Sequence, residues 1–266
     1  PLGQGIANAV GFAMASAYVG NKVNSETAEL IDHKVYCLCG DGDLEEGISY
    51  EACSIAGHLG LDNLVVIYDS NRITIEGSTE LSLSENIRNR FESQNWAVLE
   101  IDGHNFEEID GALTQSKTIK RPVLIIANTV IAKGGGQMEG SHHAHGAPLG
   151  HDVIKTAKMA AGFDPEKTFH VDADVLERFR CAIEKGDLAE REWNHRLKEL
   201  PLVEQNEAFE QLMNPDFSRI QWPTFEKADA TRNTNGVILN AIAKAIPGFL
   251  GGSADLGPSN KTELTN

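Results

Sequence analysis

Two apolar runs in this chain each end on a side chain able to bind a charged ligand. "VYCLC" leads into Gly40-Asp41-Gly42, and "NLVVIYDS" leads into Asn71. A carboxylate and an amide oxygen are hard donors of the kind that hold Mg²⁺ or Ca²⁺, with phosphate oxygens and water completing the shell. Gly40 and Gly42 leave the backbone open to a diphosphate lying close against it. If the two runs are neighbouring parallel strands, Asp41 and Asn71 reach one crevice at the strands' carboxyl ends, where open α/β sheets bind ligands. The same spacing also fits a plainer arrangement in which Asp41 caps a helix and Asn71 shapes a turn. Spacing alone leaves both open. A third group, His142, His143 and His145 in "GSHHAHGAPLG", offers imidazoles that can move protons near neutral pH. Zinc is a poor fit for this trio, because the spacing is too tight for one ion and no cysteine is near.

Other phosphate motifs fail. Glu45 stands where a dinucleotide fingerprint needs glycine, no G-x-x-x-x-G-K-[ST] occurs, and the lysine of "KGGGQ" precedes its glycines.

The elements that must position these residues are readable from periodicity. Strands are expected at 34–39, 63–70, 96–101 and 122–130, with helices at 3–20, 45–59, 84–94 and 105–117. Ile48, Ala52, Ile55, Ala56 and Leu59 fall on one face of the second helix. Strands alternating with helices give an α/β fold, a parallel sheet flanked by helices. Residues 132–150 form a long Gly- and His-rich loop, a type that is usually functional. Helices are expected at 151–161, 175–198 and 203–213, an extended linker at 214–227, a helix at 230–245, and a strand and turn over "FLGGSADLGPSN". This divides the chain into a first domain over 1–200, a helical linker over 201–229 and the start of a second α/β domain over 230–266.

Composition narrows the partners. The 266 residues carry a net charge of −16 and are 41% apolar. That balance disfavours nucleic acid and anionic membrane surfaces, and a phosphorylated ligand would need a metal or local dipoles to offset the field. No apolar run is long enough to span a bilayer and no signal-peptide pattern is present. Cys37, Cys39, Cys53 and Cys181 include no C-x-x-C pair and are expected to be buried thiols of a reducing cytoplasm. Cys37 and Cys39 should share one strand face.

Gly40-Asp41-Gly42 followed by Ser70-Asn71 resembles the thiamine-diphosphate binding motif, with Ser70 where an asparagine often stands. The blocks "PLGQGIANAVGFA", "GDGDLEEGISYEACSIAGHLGLDNLVVIYDSNRITIEG", "GSHHAHGAPLG" and "FLGGSADLGPSN" together resemble the transketolase family. The resemblance implies thiamine diphosphate and Mg²⁺ (or Ca²⁺) as cofactors, with Asp41, Asn71 and the Ile73 carbonyl on the metal. It puts Gly42 and Asn71 at the diphosphate, and Pro1, Leu2 and Ile75 at the organic part of the cofactor. His145 would touch cofactor and substrate as the catalytic residue; Arg232 and Ser259 would bind the sugar phosphate. Asp255 would reach the cofactor of a partner subunit, and Glu46 and Glu51 would lie at the interface of a homodimer.

The activity implied is reversible transfer of a two-carbon ketol unit from a ketose phosphate to an aldose phosphate through a thiamine-diphosphate ylid, in the pentose phosphate pathway. The chain opens on Pro1 without a methionine and is expected to be an internal fragment, inactive by itself. The glutamate that activates the aminopyrimidine is expected beyond Asn266. Alternatives are a non-catalytic cofactor-binding or dimerisation subunit, expected to end near 214–227, and a related thiamine-diphosphate enzyme with another acceptor.

Overall fold

The computed structural model describes residues 1–25, 29–198 and 203–265. They form two compact units, one built from Pro1–Ala17 and Asp32–Glu184, the other from Tyr18–Ile31 and Lys185–Asn266. The first is a parallel sheet of β1 (Val35–Cys39), β2 (Leu64–Ser70), β5 (Ala97–Asp102) and β6 (Val123–Asn128), in the order β1-β2-β6-β5. All three pairings are parallel. A small antiparallel hairpin, β3 (Ile73–Thr74) and β4 (Gly77–Ser78), follows β2 directly.

The central strands are continuous apolar runs because both their faces are covered. On one face Leu64, Val66 and Leu124 pack with Ile6, Ala9, Val10 and Ala13 of α1 (Gln4–Val23), Ala52, Cys53 and Ala56 of α3 (Gly47–Leu59) and Phe91 of α4 (Ile87–Ser93). On the other, Val65, Val123 and Ile125 meet Ala112 of α5 (Phe106–Ser116). Strand β1 is covered on one side only: Cys37 and Cys39 are buried together as their alternation implies, while Tyr36 and Leu38 are exposed.

Three expected elements are corrected. The helix expected at 45–59 forms as α3 but starts two residues later, because Glu46 is extended (φ −75°, ψ 137°) and separates it from a short preceding helix, α2 (Asp41–Glu45). Its expected apolar face also divides: Ala52 and Ala56 are buried, but Ile48, Ile55 and Leu59 are exposed. Helix α1 passes its expected stop at Gly20, where a Cβ would lie 3.2 Å from Asn24 Nδ2 and 3.3 Å from Ile31 O; that glycine serves packing, not capping.

In the second unit, Val23, Leu30 and Phe209 form a small core with Trp193, whose indole N–H donates to Leu30 O at 2.9 Å. The chain runs through α6 (His151–Ala160) in the first unit, then α7 (Ala173–Lys198), α8 (Val203–Met213), α9 (Thr231–Ala245) and α10 (Gly257–Asn260). No strand forms over 249–256, the third correction; Gly251 and Gly252 weaken extended structure there, and no ladder partner exists among the described residues. The expected boundary at residues 200 and 201 lies outside the described residues.

Candidate active site at the carboxyl ends of the strands

Asp41 opens α2 directly after β1, and Asn71 directly follows β2; the two strands are neighbours. The Asp41 side chain is 3% exposed. Its Oδ1 accepts the Tyr68 O–H at 2.6 Å and its Oδ2 accepts the Arg72 N–H at 3.1 Å. Burial pushes the carboxyl above its usual range, opposed by Tyr68 and the backbone N–H groups of Arg72 and Asn71. The carboxylate therefore does not cap its own helix, and that plainer reading fails for Asp41. Asp43 takes the role, its Oδ2 accepting Gly40 N–H at 3.0 Å and its Oδ1 Gly3 N–H at 2.9 Å. For Asn71 the turn is real: its Oδ1 accepts Ile73 N–H at 3.0 Å. An amide oxygen has a second lone pair, so the turn does not exclude a ligand role.

The backbone around these residues is tightly drawn. Arg72, between Asn71 and Ile73, is left-handed (φ 62°), which turns its N–H toward Asp41. A Cβ on Gly42 would lie 3.3 Å from Leu2 Cδ1, so Leu2 rests on the glycine. Gly3 (φ +74°) has room for no side chain: a Cβ would come within 2.9 Å of Ser49 Oγ, Glu46 Cβ and Ile48 Cγ2. Pro1 and Leu2 are thereby fixed beside the α2–α3 break that carries Glu46.

The His-rich loop reaches the same neighbourhood. A Cβ on Gly146 would lie 3.9 Å from Ile75 Cδ1, which brings His145 next to the tip of the β3–β4 hairpin. His145 is exposed, with its N–H bonded to His142 O at 3.0 Å. The rings of His142 and His143 lie together, 4.1 Å between centroids. Glu46 and Glu51 are both exposed, near the exposed Ile48 and Ile55. Arg232, in the first turn of α9, Asp255 (φ 57°) and Ser259, on α10, belong to the second unit.

The donor set suits a hard cation bound through few protein groups. Asp41 is a buried carboxylate that makes no ion pair among the described residues. No group of three or more His, Cys, Asp or Glu that could hold a metal exists among those residues. A bound ion would thus need the Asn71 amide, a backbone carbonyl and ligand oxygens, as Mg²⁺ commonly does.

Residues 1–216 match the model of the transketolase thiamine diphosphate binding domain. The chain belongs to the transketolase family. The transketolase of Bacillus subtilis (strain 168) is 44% identical over 277 residues, covering 100% of this chain and 41% of that protein. The crystal structure of transketolase from Campylobacter jejuni subsp. jejuni NCTC 11168 is 57% identical with a TM-score of 0.94, covering 100% of this chain and 41% of that one. A Pichia stipitis transketolase solved in complex with sedoheptulose-7-phosphate is 35% identical with a TM-score of 0.93, over 100% and 41% of the two chains. The chain thus spans about 41% of the length of these transketolases.

Tyr68, Asp43 and Arg72 are the site residues that the motif alone does not reveal. Asp43 had a readable signal, since it is the third residue of a helix start, where an acidic side chain reaches back to the preceding N–H. Tyr68 and Arg72 had none. A tyrosine in an apolar strand reads as core, and a left-handed arginine follows from the local turn. Cys37, Cys39 and Cys53 are buried as expected, but Cys181 is exposed on α7, a correction. Burial pushes the Cys53 thiol up to about 12, and Cys39 higher still, so neither is a nucleophile near neutral pH.

Proposed function

We propose that the protein carrying this chain transfers a two-carbon ketol unit reversibly from a ketose phosphate to an aldose phosphate, with thiamine diphosphate and Mg²⁺ (or Ca²⁺) as cofactors. The observation that carries this reading is the buried Asp41 carboxylate beside Asn71, at the ends of adjacent strands in a chain of the transketolase family. Asp41, the Asn71 amide oxygen and the Ile73 carbonyl would hold the metal. That ion offsets the diphosphate charge beside a chain whose net charge is −16. Gly42 and Asn71 would take the diphosphate, and Pro1, Leu2 and Ile75 the organic rings. The cofactor, when bound, supplies an electron sink that lets a carbon–carbon bond next to a carbonyl break.

The chain's own residues would bind, orient and move protons. His145 would exchange a proton with a sugar hydroxyl oxygen, a task suited to imidazole. Arg232 and Ser259 would hold the substrate phosphate. Arg232 makes no ion pair among the described residues, which leaves its guanidinium fork for phosphate oxygens. The relative solved with sedoheptulose-7-phosphate supports a sugar phosphate as substrate.

The working unit is proposed to be a homodimer in the cytoplasm, serving the pentose phosphate pathway, with Asp255 reaching the partner's cofactor. Exposed Ile48, Ile55 and Leu59 around Glu46 and Glu51 support an interface there, because apolar groups of this kind commonly mark a protein contact. The proposed domain division remains 1–200, 201–229 and 230–266. The test is a ketol-transfer assay on the protein made from the complete reading frame, with a ketose phosphate donor and an aldose phosphate acceptor. Turnover that needs thiamine diphosphate and is abolished by EDTA is expected; no turnover with any phosphorylated pair would sink the reading.

A further inference from the structure

The loop that carries His145 is anchored by a residue outside every motif in the sequence. Strand β6 ends at Asn128, whose carbonyl accepts Gly103 N–H at 2.8 Å as the last backbone bond from the β5 side. One rung further, β5 has turned away: His104 N–H is bound to Asp102 Oδ1 at 2.9 Å, and Asn105 N–H to Asp102 O at 3.0 Å. The next donor on that edge, Val130 N–H, would have no ladder partner. His104 Nε2 accepts it at 2.9 Å. A side chain thus extends the sheet by one bond, which requires a neutral imidazole protonated at Nδ1.

This bond sits at the base of the loop. On the opposite edge Thr129 N–H donates to Ser70 O at 3.2 Å, and the Thr129 hydroxyl donates to Asp69 Oδ1. Beyond Val130 the chain has no strand or α-helix until α6. Ala132, Gly134, Gly136 and Gly140 are all left-handed, so the loop turns sharply, and a series of short-range hydrogen bonds holds those turns. Two of these are Gly134 N–H to Glu139 Oε2 at 2.9 Å and Gly140 N–H to Ile131 O at 2.9 Å. The second returns the loop to the residue next to Val130, and a Cβ on Gly140 would touch Val130 Cγ1 at 4.0 Å. The His142–Ala144 turn and His145 follow at once.

We propose that His104 is a positioning residue: by accepting the Val130 N–H it fixes the base of loop 131–150 and so sets where His145 stands. The turn around it is built for close approach, since a Cβ on Gly103 would lie 2.5 Å from Thr129 Cγ2. The catalytic consequence rests on the ketol-transfer reading; the backbone consequence does not.

The experiment uses the protein from the complete reading frame, as wild type, His104→Ala and His104→Gln. The glutamine offers a neutral acceptor with similar reach. Amide hydrogen exchange is followed without cofactor. In His104→Ala, Val130 and Gly140 should exchange about 3- to 10-fold faster while Leu124–Ile126 stay unchanged, and His104→Gln should restore both. Ketol transfer should show a matching loss in kcat, again recovered in His104→Gln. Unchanged Gly140 exchange, equal acceleration through β6, no rescue by glutamine, or full activity in His104→Ala would each overturn the proposal. A wild type without ketol transfer but with the expected exchange pattern would refute the functional reading and leave the anchor standing.

Discussion

At the scale of single residues, the site turns on one buried carboxylate that makes no ion pair among the described residues. Asp41 keeps its two oxygens aimed by accepting Tyr68 O–H and Arg72 N–H, the kind of outer support that orients a metal ligand. Tyr68→Phe removes one donor and leaves the ring's packing intact. Metal affinity in the presence of thiamine diphosphate should fall about 10- to 100-fold. The cofactor-free protein should lose about 1–3 kcal/mol, because a buried acceptor is left unpaired. Metal titration and urea unfolding measure the two effects separately; unchanged affinity would mean that Asp41 does not hold the ion.

At the scale of elements, close backbone approach governs how α3 meets the strand beside it. Gly57 lies so near the α4–β5 turn that a Cβ would sit 1.7 Å from Gln94 O. Around it, the Trp96 indole N–H donates to Cys53 O at 2.8 Å, and Asn95 Nδ2 donates to Gly57 O at 3.3 Å. Gly57→Ala should therefore destabilise by about 3 kcal/mol, at the upper end of overpacking costs, as read from a denaturant midpoint. Loss of less than about 1 kcal/mol would show that the turn yields easily. Here the sequence was only partly informative. The four sheet strands were legible because covered parallel strands are continuous apolar runs, and those runs stand out. The Asp41–Asn71 pairing was legible because strand ends are where such sheets bind. The break at Glu46 was hidden, since "DLEEGISYEA" keeps helical spacing across it, while in the structure Gly3 seats against Glu46 and Ser49 at that break. The strand expected near Phe249 failed for a different reason: apolar character alone does not supply a ladder partner.

For the molecule as a whole, charge decides what must accompany the ligand. A chain at −16 repels a diphosphate through its bulk field, and a divalent cation on Asp41 and Asn71 would reverse that locally. The most direct test is calorimetric titration of thiamine diphosphate into the protein made from the complete reading frame, with Mg²⁺ and with EDTA, for wild type and Asp41→Asn. Asparagine can keep both contacts, its amide facing the Tyr68 oxygen and its carbonyl the Arg72 N–H, so the fold should survive and only the charge is lost. Saturable binding that needs Mg²⁺ and weakens about 100-fold or more in Asp41→Asn is the predicted result. Equal binding in EDTA, or equal binding in the variant, would contradict the account and leave Asp41 as a buried structural carboxylate.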